Sequence, residues 1–358
     1  MKPSRFSAKS MIYSILSVTV ALFFTARFAA AAAPDAQPGA TRIAKWKDDR
    51  KAVFLIMFDD SCPSHWQIAI PALVARNLVA TFYINPGKAE YSKFKGKWEN
   101  EIWKTGMVYG DHTMTHQGVK DLENADWEIG ACAKVITDIG PGKKPRLISW
   151  GMPGVGPGKW NISGEQLKSL LAKYHLVSRP TFDGHGAVYH WQKTEQMLAL
   201  ADKGIKAGDM EYLVIHGVER GPDMNWGYQD FWALKQTILF GVLDGLKERR
   251  DRGDLWITDH ISYHQYLTER TSAKVRTLPA GPGVIKLELT SAADPNFYDL
   301  PLTLVTQVPA GWRQCRIVQG TRTATAVPVN GAVQFEALPN GGPITLEPSS
   351  AAAPAGKG

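Results

Sequence analysis

Two adjacent carboxylates, Asp59 and Asp60, end the apolar run FLIMFDD (residues 54–60). Neighbouring carboxylates repel each other, so a buried strand that ends on such a pair indicates a cation nearby or a catalytic role. An Asp-Asp pair after a strand is more often a turn or a helix cap, and the pair alone does not decide the function.

Histidines follow two other apolar runs. His112 and His116 stand four residues apart in GDHTMTHQ (110–117), a spacing that would put both imidazoles on one face of a helical turn. His216 ends the run LVIHG (213–217). Two histidines and one carboxylate suit a divalent metal that keeps a position open for water. Each histidine motif alone is more often structural, and only the combination favours a metal-dependent active site.

The elements that would position these residues alternate along the chain. Helix-length amphipathic segments, such as residues 163–174 and 230–250, separate short apolar runs, and Ser163 with Gln166 forms a capping-box pattern. The runs predicted as strands are residues 52–58, 79–84, 107–110, 146–150, 175–179, 211–216 and 254–258. This alternation predicts an α/β fold, a distorted (β/α) barrel of about seven parallel strands, in which active-site residues lie at the carboxyl ends of strands.

The pattern changes near residue 271. Residues 275–348 predict a small all-β, sandwich-like module with strands at 284–290, 302–308, 332–338 and 344–348, and residues 349–358 predict a disordered tail. The barrel domain is expected over residues 50–270, after a polar linker at 34–49. The module is expected to fold separately, so that a protein ending near Arg270 would still bind metal. The alternative is that the module covers apolar barrel surface and that its removal causes aggregation.

The N-terminus predicts an export signal in residues 1–33, with three basic residues before an apolar run at 11–24 and small residues at 29–36. An uncleaved anchor is the alternative, although the apolar run is short for a membrane span. The formal net charge of +7 falls to +3 without the four basic residues of the signal, so nucleic acid is not an expected partner. We expect a periplasmic or secreted protein that has no membrane contact after cleavage.

Three cysteines, Cys62, Cys132 and Cys315, are too few for a disulfide framework. Free thiols are expected, and Cys62 with Cys132 is the pair that would bridge if one disulfide formed.

The motifs MFDD, HTMTH and LVIHG, in this order, resemble those of the polysaccharide deacetylase superfamily, the NodB-like carbohydrate esterases of family 4. The resemblance covers roughly residues 50–270. It implies a barrel fold and removal of acetyl groups by metal-activated water. Zinc is the metal expected first, with cobalt or nickel as alternatives. The implied roles are general base for Asp59, metal ligands for Asp60, His112 and His116, and general acid for His216.

The chain departs from the family pattern in three places. Met57 replaces a threonine in the first motif. Where the family has R-x-P-Y, this chain reads SWGMPGVG (149–156), with Gly151 at the arginine position and Gly154 at the tyrosine position. The backbone N–H of Gly154 can still serve as oxyanion donor, whereas the missing arginine leaves Arg146 and Arg179 as candidates. The family's D-x-x-D-W motif is not intact either, and Asp183 is the candidate that would orient His216.

The expected substrate is an acetylated polysaccharide or oligosaccharide, either an N-acetylated amino sugar polymer or an O-acetylated polysaccharide. Trp150, Trp191 and Trp226 are candidates for stacking on sugar rings, with packing in the core as the alternative for each. Two other functions stay open, a non-catalytic carbohydrate-binding protein on a deacetylase scaffold and a hydrolase of a small amide. The sequence does not decide the oligomeric state.

Overall fold

The computed structural model describes residues 37–140, 142–180, 193–221, 230 and 232–349, which belong to one compact unit. The predicted export signal, residues 34–36 of the predicted linker and residues 350–358 of the predicted tail lie outside the described residues. Within the described part of the chain, no helix is both long and apolar enough to cross a membrane.

After a short first strand, β1 (Thr41–Ile43), seven strands form one curled parallel sheet flanked by helices, which confirms the predicted fold class. They are β2 (Ala52–Asp59), β3 (Thr81–Ile84), β4 (Val108–Asp111), β5 (Ile148–Trp150), β6 (Leu176–Ser178), β7 (Met210–Ile215) and β8 (Leu255–Thr258). Their order is β6-β5-β4-β3-β2-β7, and β8 also pairs with β2. All these pairs are parallel, so the carboxyl ends of the strands meet at one edge.

Helices connect the strands of the sheet. They are α1 (Ile70–Val74), α2 (Ala89–Lys93), α3 (Lys95–Asn100), α4 (Leu122–Asp138), α5 (Gly164–Lys173), α6 (Thr194–Ala207), α7 (Gln236–Asp251) and α8 (His260–Ser272), with 3-10 turns at Lys47–Asp49 and Ile102–Thr105 and a π-helical turn at His65–Ala69. The predicted capping box of α5 is present in full. Helix α7 begins later than residue 230, because Leu234 bridges to Val218 and Lys235 is extended.

Every residue of the central strand β2 is buried, because both faces of the sheet are covered. Phe54, Ile56 and Phe58 face the helices and belong to the larger apolar core. Leu55 and Met57, on the other face, belong to a second core.

Seven antiparallel strands follow α8. They are β9 (Lys274–Leu278), β10 (Ile285–Thr290), β11 (Leu302–Gln307), β12 (Cys315–Gln319), β13 (Arg322–Ala326), β14 (Ala332–Ala337) and β15 (Ile344–Pro348). Five of them form one sheet, in the order β13-β12-β15-β10-β9, and the other two form a three-stranded sheet with β1, in the order β1-β11-β14. Buried and exposed residues alternate along β10 and β14, as expected for strands with one covered face.

The second core joins these antiparallel sheets to the curled parallel sheet. Leu287 of β10 and Leu304 of β11 share it with Leu55 and Met57 of β2 and with Tyr266 of α8. The module therefore covers one face of the parallel sheet, the arrangement that we considered above as the alternative to separate folding.

The segment predicted as a linker is partly structured. Strand β1 pairs with β11, with Thr41 opposite Thr306, so this part of residues 34–49 belongs to a sheet of the C-terminal module. Trp46 is buried, and its indole N–H donates to the carbonyl of Gly208 at 3.1 Å. The linker prediction failed here because a three-residue strand leaves almost no periodic pattern. The three cysteines are free and buried.

Candidate active site

The parallel sheet brings the three sequence motifs to one edge. Asp59 is the last residue of β2, His112 follows β4, and His216 follows β7. Within the sheet, Asp59 lies opposite Tyr83 of β3, whose neighbour Ile84 lies opposite Asp111 of β4. The carboxyl ends of these strands therefore bring side chains together that are far apart in the chain.

Asp60, His112 and His116 form a cluster that could hold a metal ion. Their ligand atoms all lie within 4.8 Å of one another. Asp60 Oδ1 is 3.2 Å from His116 Nε2 and 3.7 Å from His112 Nε2. Asp60 is 2% exposed, and its Oδ1 accepts no hydrogen bond within the described part of the chain. A buried carboxylate oxygen without a hydrogen-bond donor fits a divalent cation, as does the set of two imidazoles and one carboxylate.

His112 is held in the form that a metal ligand needs. Its Nδ1 lies 2.6 Å from the carbonyl oxygen of Gly151, so Nδ1–H donates and the lone pair of Nε2 faces the cluster. Burial lowers the pKa of His112 to about 4, against the opposite effect of Asp59 and Asp60. The imidazole is therefore neutral at physiological pH, the state that binds metals.

His112 and His116 do not share a helical turn, contrary to the expectation from their spacing. They lie in a loop in which Thr113 and His116 have φ values of 64° and 60°. The backbone N–H of Thr113 donates to Asp111, and Asn85 donates to the carbonyls of His112 and Thr113. These polar contacts fold the loop so that the two imidazole rings meet at 5.0 Å between centroids.

Asp59 is bound by an arginine that follows β6. Arg179 Nη1 and Nη2 donate to Asp59 Oδ1 and Oδ2 at 2.5 and 2.7 Å. Burial alone would raise the pKa of Asp59, but the charges of Arg179, His112 and His216 and the two hydrogen bonds hold that pKa well below its ordinary value. Asp59 is therefore an ionised carboxylate whose two oxygens are fixed by one planar partner.

His216 faces both carboxylates. Its Nε2 lies 4.0 Å from Asp59 Oδ2 and 3.6 Å from Asp60 Oδ2, and the ring of Trp232 meets its imidazole edge to face at 5.0 Å. His65 lies 2.7 Å through its Nε2 from the carbonyl oxygen of His216. Burial lowers the pKa of His65 to about 4, so a neutral His65 donates this hydrogen bond and fixes the end of β7.

The other predicted site residues lie in the exposed loop after β5, in the apolar core or outside the described residues. Gly154 is exposed in the loop after β5, where an added Cβ would touch nothing within 4 Å. Trp150 is 2% exposed and belongs to the core on the helix side of the sheet, which favours its packing role over sugar stacking. Asp183, Trp191 and Trp226 lie outside the described residues.

The sequence left Arg179 unranked beside Arg146 as the replacement for the missing arginine, and it did not single out His65. Arg179 stands in the tripeptide Ser-Arg-Pro at the end of a predicted strand, and a charged residue at that position was the only signal. Of the two arginines considered, Arg146 donates instead to the carbonyls of Ile136 and Ile139.

Comparison with known proteins finds a family match for part of the chain. Residues 47–157 match the model of the polysaccharide deacetylase family. A search of curated proteins finds no match.

Several solved structures are similar at low identity. A family 4 carbohydrate esterase from Streptomyces lividans, solved with acetate, is 17% identical, with 57% of this chain and 90% of that chain covered and a TM-score of 0.39. A peptidoglycan deacetylase from Bacillus subtilis is 15% identical, with 60% and 90% covered and a TM-score of 0.39. A family 4 pseudoenzyme from Bacillus anthracis is 12% identical, with 58% and 63% covered and a TM-score of 0.39.

The matched region contains MFDD and HTMTH, the two motifs that supply Asp59, Asp60, His112 and His116. The family match over residues 47–157 confirms the resemblance to the polysaccharide deacetylase superfamily in the part of the chain that carries these two motifs.

Proposed function

We propose that this protein is an exported, metal-dependent hydrolase that removes acetyl groups from an acetylated carbohydrate. The observation that carries the proposal is the cluster of Asp60, His112 and His116 beside the ionised, arginine-bound Asp59. A ligand set with an adjacent carboxylate base and a facing histidine suits hydrolysis of an amide or ester.

The chain's own residues divide the work of this reaction. Asp60, His112 and His116 would hold one divalent ion, with zinc expected first and cobalt or nickel as alternatives. Such an ion, when bound, supplies Lewis-acid polarisation of a carbonyl and lowers the pKa of its bound water toward about 7.

Asp59 is the general base, because an ionised carboxylate is the form that accepts a proton from the attacking water. His216 faces Asp59 at 4.0 Å and would donate a proton to the departing amine or alcohol. The backbone N–H of Gly154 is the proposed hydrogen-bond donor to the developing oxyanion.

Two other functions are weaker candidates. A non-catalytic carbohydrate-binding protein was suggested mainly by the loss of the family arginine at position 151. The contact of Arg179 with Asp59 removes that argument, and binding alone needs no general base. A hydrolase of a small amide shares the same chemistry, and it would release no acetate from a glycan.

Acetate release tests the proposed activity. The purified protein, loaded with zinc, cobalt or nickel, should release acetate from at least one N- or O-acetylated glycan, and a chelator should stop the release reversibly. Asp59→Asn is the inactive control, and His175→Ala changes a histidine outside the cluster as the matched active control. Metal-loaded protein that releases no acetate from any acetylated glycan would contradict the proposal.

Export is a separate part of the proposal and rests on the pattern of residues 1–33. Expressed with its N-terminus intact in a bacterial host, the protein should be recovered from the periplasm or the medium, with a mature N-terminus near residue 34. Recovery of the unprocessed chain from the cytoplasm would contradict export.

A further inference from the structure

The end of β5 lacks the side chain that the family pattern places there. Gly151 occupies the arginine position, and its backbone is fully used, since its N–H donates to the carbonyl of Asp111 at 2.9 Å and its carbonyl accepts from His112. The carboxylate that such an arginine would serve, Asp59, is nevertheless bound at both oxygens. Arg179 therefore binds Asp59 in place of an arginine at position 151, and the space beside Gly151 decides whether Arg179 can do so.

Arg179 occupies the volume that a side chain at position 151 would need. A Cβ atom on Gly151 would lie 2.9 Å from Cζ and 3.0 Å from Nε of Arg179, and 2.9 Å from Cδ1 of the Tyr83 ring, closer than Cβ atoms in proteins normally approach. Arg179 follows the adjacent strand β6, and its N–H donates to the carbonyl of Trp150 at 2.8 Å. Strand β5, which carries the arginine in the family pattern, thus binds the backbone of Arg179, which replaces that arginine here.

A tyrosine forms the floor under the guanidinium. Arg179 Cζ lies 4.3 Å from the centroid of the Tyr83 ring, within the range of a cation–π contact. The Tyr83 hydroxyl is 2.7 Å from Ser149 Oγ, which is itself 2.7 Å from His260 Nδ1, so the ring is fixed by a buried chain of hydrogen bonds. A Cβ on Gly110 would lie 2.5 Å from Cδ1 of Tyr83, so a second glycine makes room for the ring.

We propose that Arg179 is the positioning residue of the base Asp59, moved from the end of β5 to the end of β6, and that position 151 is glycine because the guanidinium and the Tyr83 ring beneath it fill its side-chain volume. This inference rests on the proposed function for the role of Asp59 as base. A guanidinium presents two parallel N–H donors, so it fixes the plane of the carboxylate, which the single point charge of a lysine cannot do.

Kinetics of Arg179 variants test the positioning role. In Arg179→Ala, kcat should fall about 10²-fold, because a misplaced catalytic group costs about that much, while KM and metal content stay near those of the wild type. Arg179→Lys should recover little, and added guanidinium ion should restore part of kcat in Arg179→Ala. Arg146→Ala is the matched control, for which added guanidinium should change nothing. Unchanged kcat in Arg179→Ala, or guanidinium without effect on that folded, metal-loaded variant, would overturn the inference.

Moving the arginine back provides a second test. Gly151→Arg alone should impair the enzyme, because two side chains then compete for one volume. The double variant Gly151→Arg/Arg179→Gly should recover at least about tenfold in kcat over Arg179→Gly, since a guanidinium can again reach Asp59. A double variant no better than Arg179→Gly would count against relocation.

The steric half of the inference is tested without any activity. Gly151→Ala should lower the melting temperature of the wild type but lower it less in the Arg179→Ala background, because one of the two obstructing side chains is gone and only the Tyr83 ring remains. Additive losses would refute the arrangement. This double-mutant cycle tests the packing of Arg179 against Gly151 separately from the proposed deacetylase function. Its result is informative even if the wild type releases no acetate.

Discussion

Asp59 and Asp60 are neighbours in the chain, yet their side chains meet different partners. The Asp59 carboxylate is bound at both oxygens by Arg179, whereas Oδ1 of Asp60 faces the two histidines and accepts no hydrogen bond within the described residues. Asp60 and Ser61 have φ values of 80° and 55°, and this turn separates the two carboxylates. The doublet that appears repulsive in sequence is thus resolved into one carboxylate bound at both oxygens by an arginine and one candidate metal ligand, whose Oδ1 lies 3.8 Å from Lys88 Nζ.

Metal content should therefore distinguish the two aspartates. Asp60→Ala, His112→Ala and His116→Ala should lose most of a bound divalent ion, because each removes one of three ligands. Asp59→Asn should retain the ion but lose about 10²–10⁴-fold in rate, the usual contribution of a general base. Metal content is measured by elemental analysis after dialysis against a weak chelator, with His175→Ala as control. Equal loss of metal from Asp59→Asn and Asp60→Ala would contradict this division of roles.

At the scale of single elements, helix ends carry much of the local stability. In α5, Ser163 Oγ accepts from the backbone N–H of Gln166 at 3.2 Å, and the Gln166 side chain accepts from the backbone N–H of Ser163 at 2.8 Å. In α8, Asp259 accepts from the backbone N–H groups of Ile261 and Ser262 at 2.9 Å each. These contacts satisfy amide groups that have no partner within the helix.

Removal of the α5 cap should be measurable. Ser163→Ala should lower the free energy of unfolding by about 1 kcal/mol, because it leaves the first turn without its side-chain acceptor. Ser169→Ala in the same helix is the matched control, since that hydroxyl donates to the carbonyl of Glu165, already within the helix, and its loss should be within about 0.5 kcal/mol. Chemical denaturation measures both, and similar losses in the two variants would contradict the capping argument.

The last turn of α8 carries a buried carboxyl group that should make stability depend on pH. Burial raises the pKa of Glu269 to about 7, against the hydrogen bond from the backbone N–H of Leu300. The folded state thus binds this proton more tightly than the unfolded chain, where a glutamate titrates near 4.5. The contribution of Glu269 to stability is therefore fully present below about pH 4.5 and is lost as the pH rises through about 7.

Glu269→Gln should remove this pH dependence. The free energy of unfolding of the variant, relative to the wild type, should rise between pH 4.5 and 7 and then stay constant. Glutamine can still accept from the N–H of Leu300, so the fold should be kept. Glu195→Gln, on the exposed first turn of α6, is the control and should show no such rise. A pH-independent difference for Glu269→Gln would contradict the raised pKa.

At the scale of the whole molecule, the parallel sheet and the antiparallel sheets share one apolar core. Leu55 and Met57 of β2 pack in the same cluster as Leu287, Leu304 and Phe335 of the C-terminal strands. Strand β1, at the start of the described chain, belongs to the sheet of β11 and β14. The start of the described chain is therefore hydrogen-bonded into a sheet of the C-terminal module.

This shared core predicts that the chain unfolds as a unit. A protein that ends near Arg270 should aggregate or lack a cooperative transition, because the face of the sheet that carries Leu55 and Met57 would be exposed to water. The chain shortened only to residue 349 is the control and should melt as the full-length protein does. A soluble protein ending near Arg270 that melts cooperatively and binds one metal ion would instead support separate domains.

The sequence by itself determined the seven strands of the parallel sheet, the order of the motifs and the identity of the metal-ligand candidates. Runs of apolar residues in β2 and β7 predict buried strands, because burial on both faces of a sheet requires an unbroken apolar segment. MFDD and HTMTH are short motifs, so their candidate site residues can be read from the local sequence. The capping box of α5 is equally local, since it involves residues three positions apart.

Only the tertiary structure decided which distant residues serve those motifs. Arg179 reaches Asp59 across 120 positions, and β1 pairs with a strand more than 250 residues later. The loop conformation of His112 and His116 depends on Asn85 of another strand end. Such contacts have no local periodicity, because they arise from the packing of the sheet, and a glycine that makes room for an arginine leaves no signal in the sequence except an absent side chain.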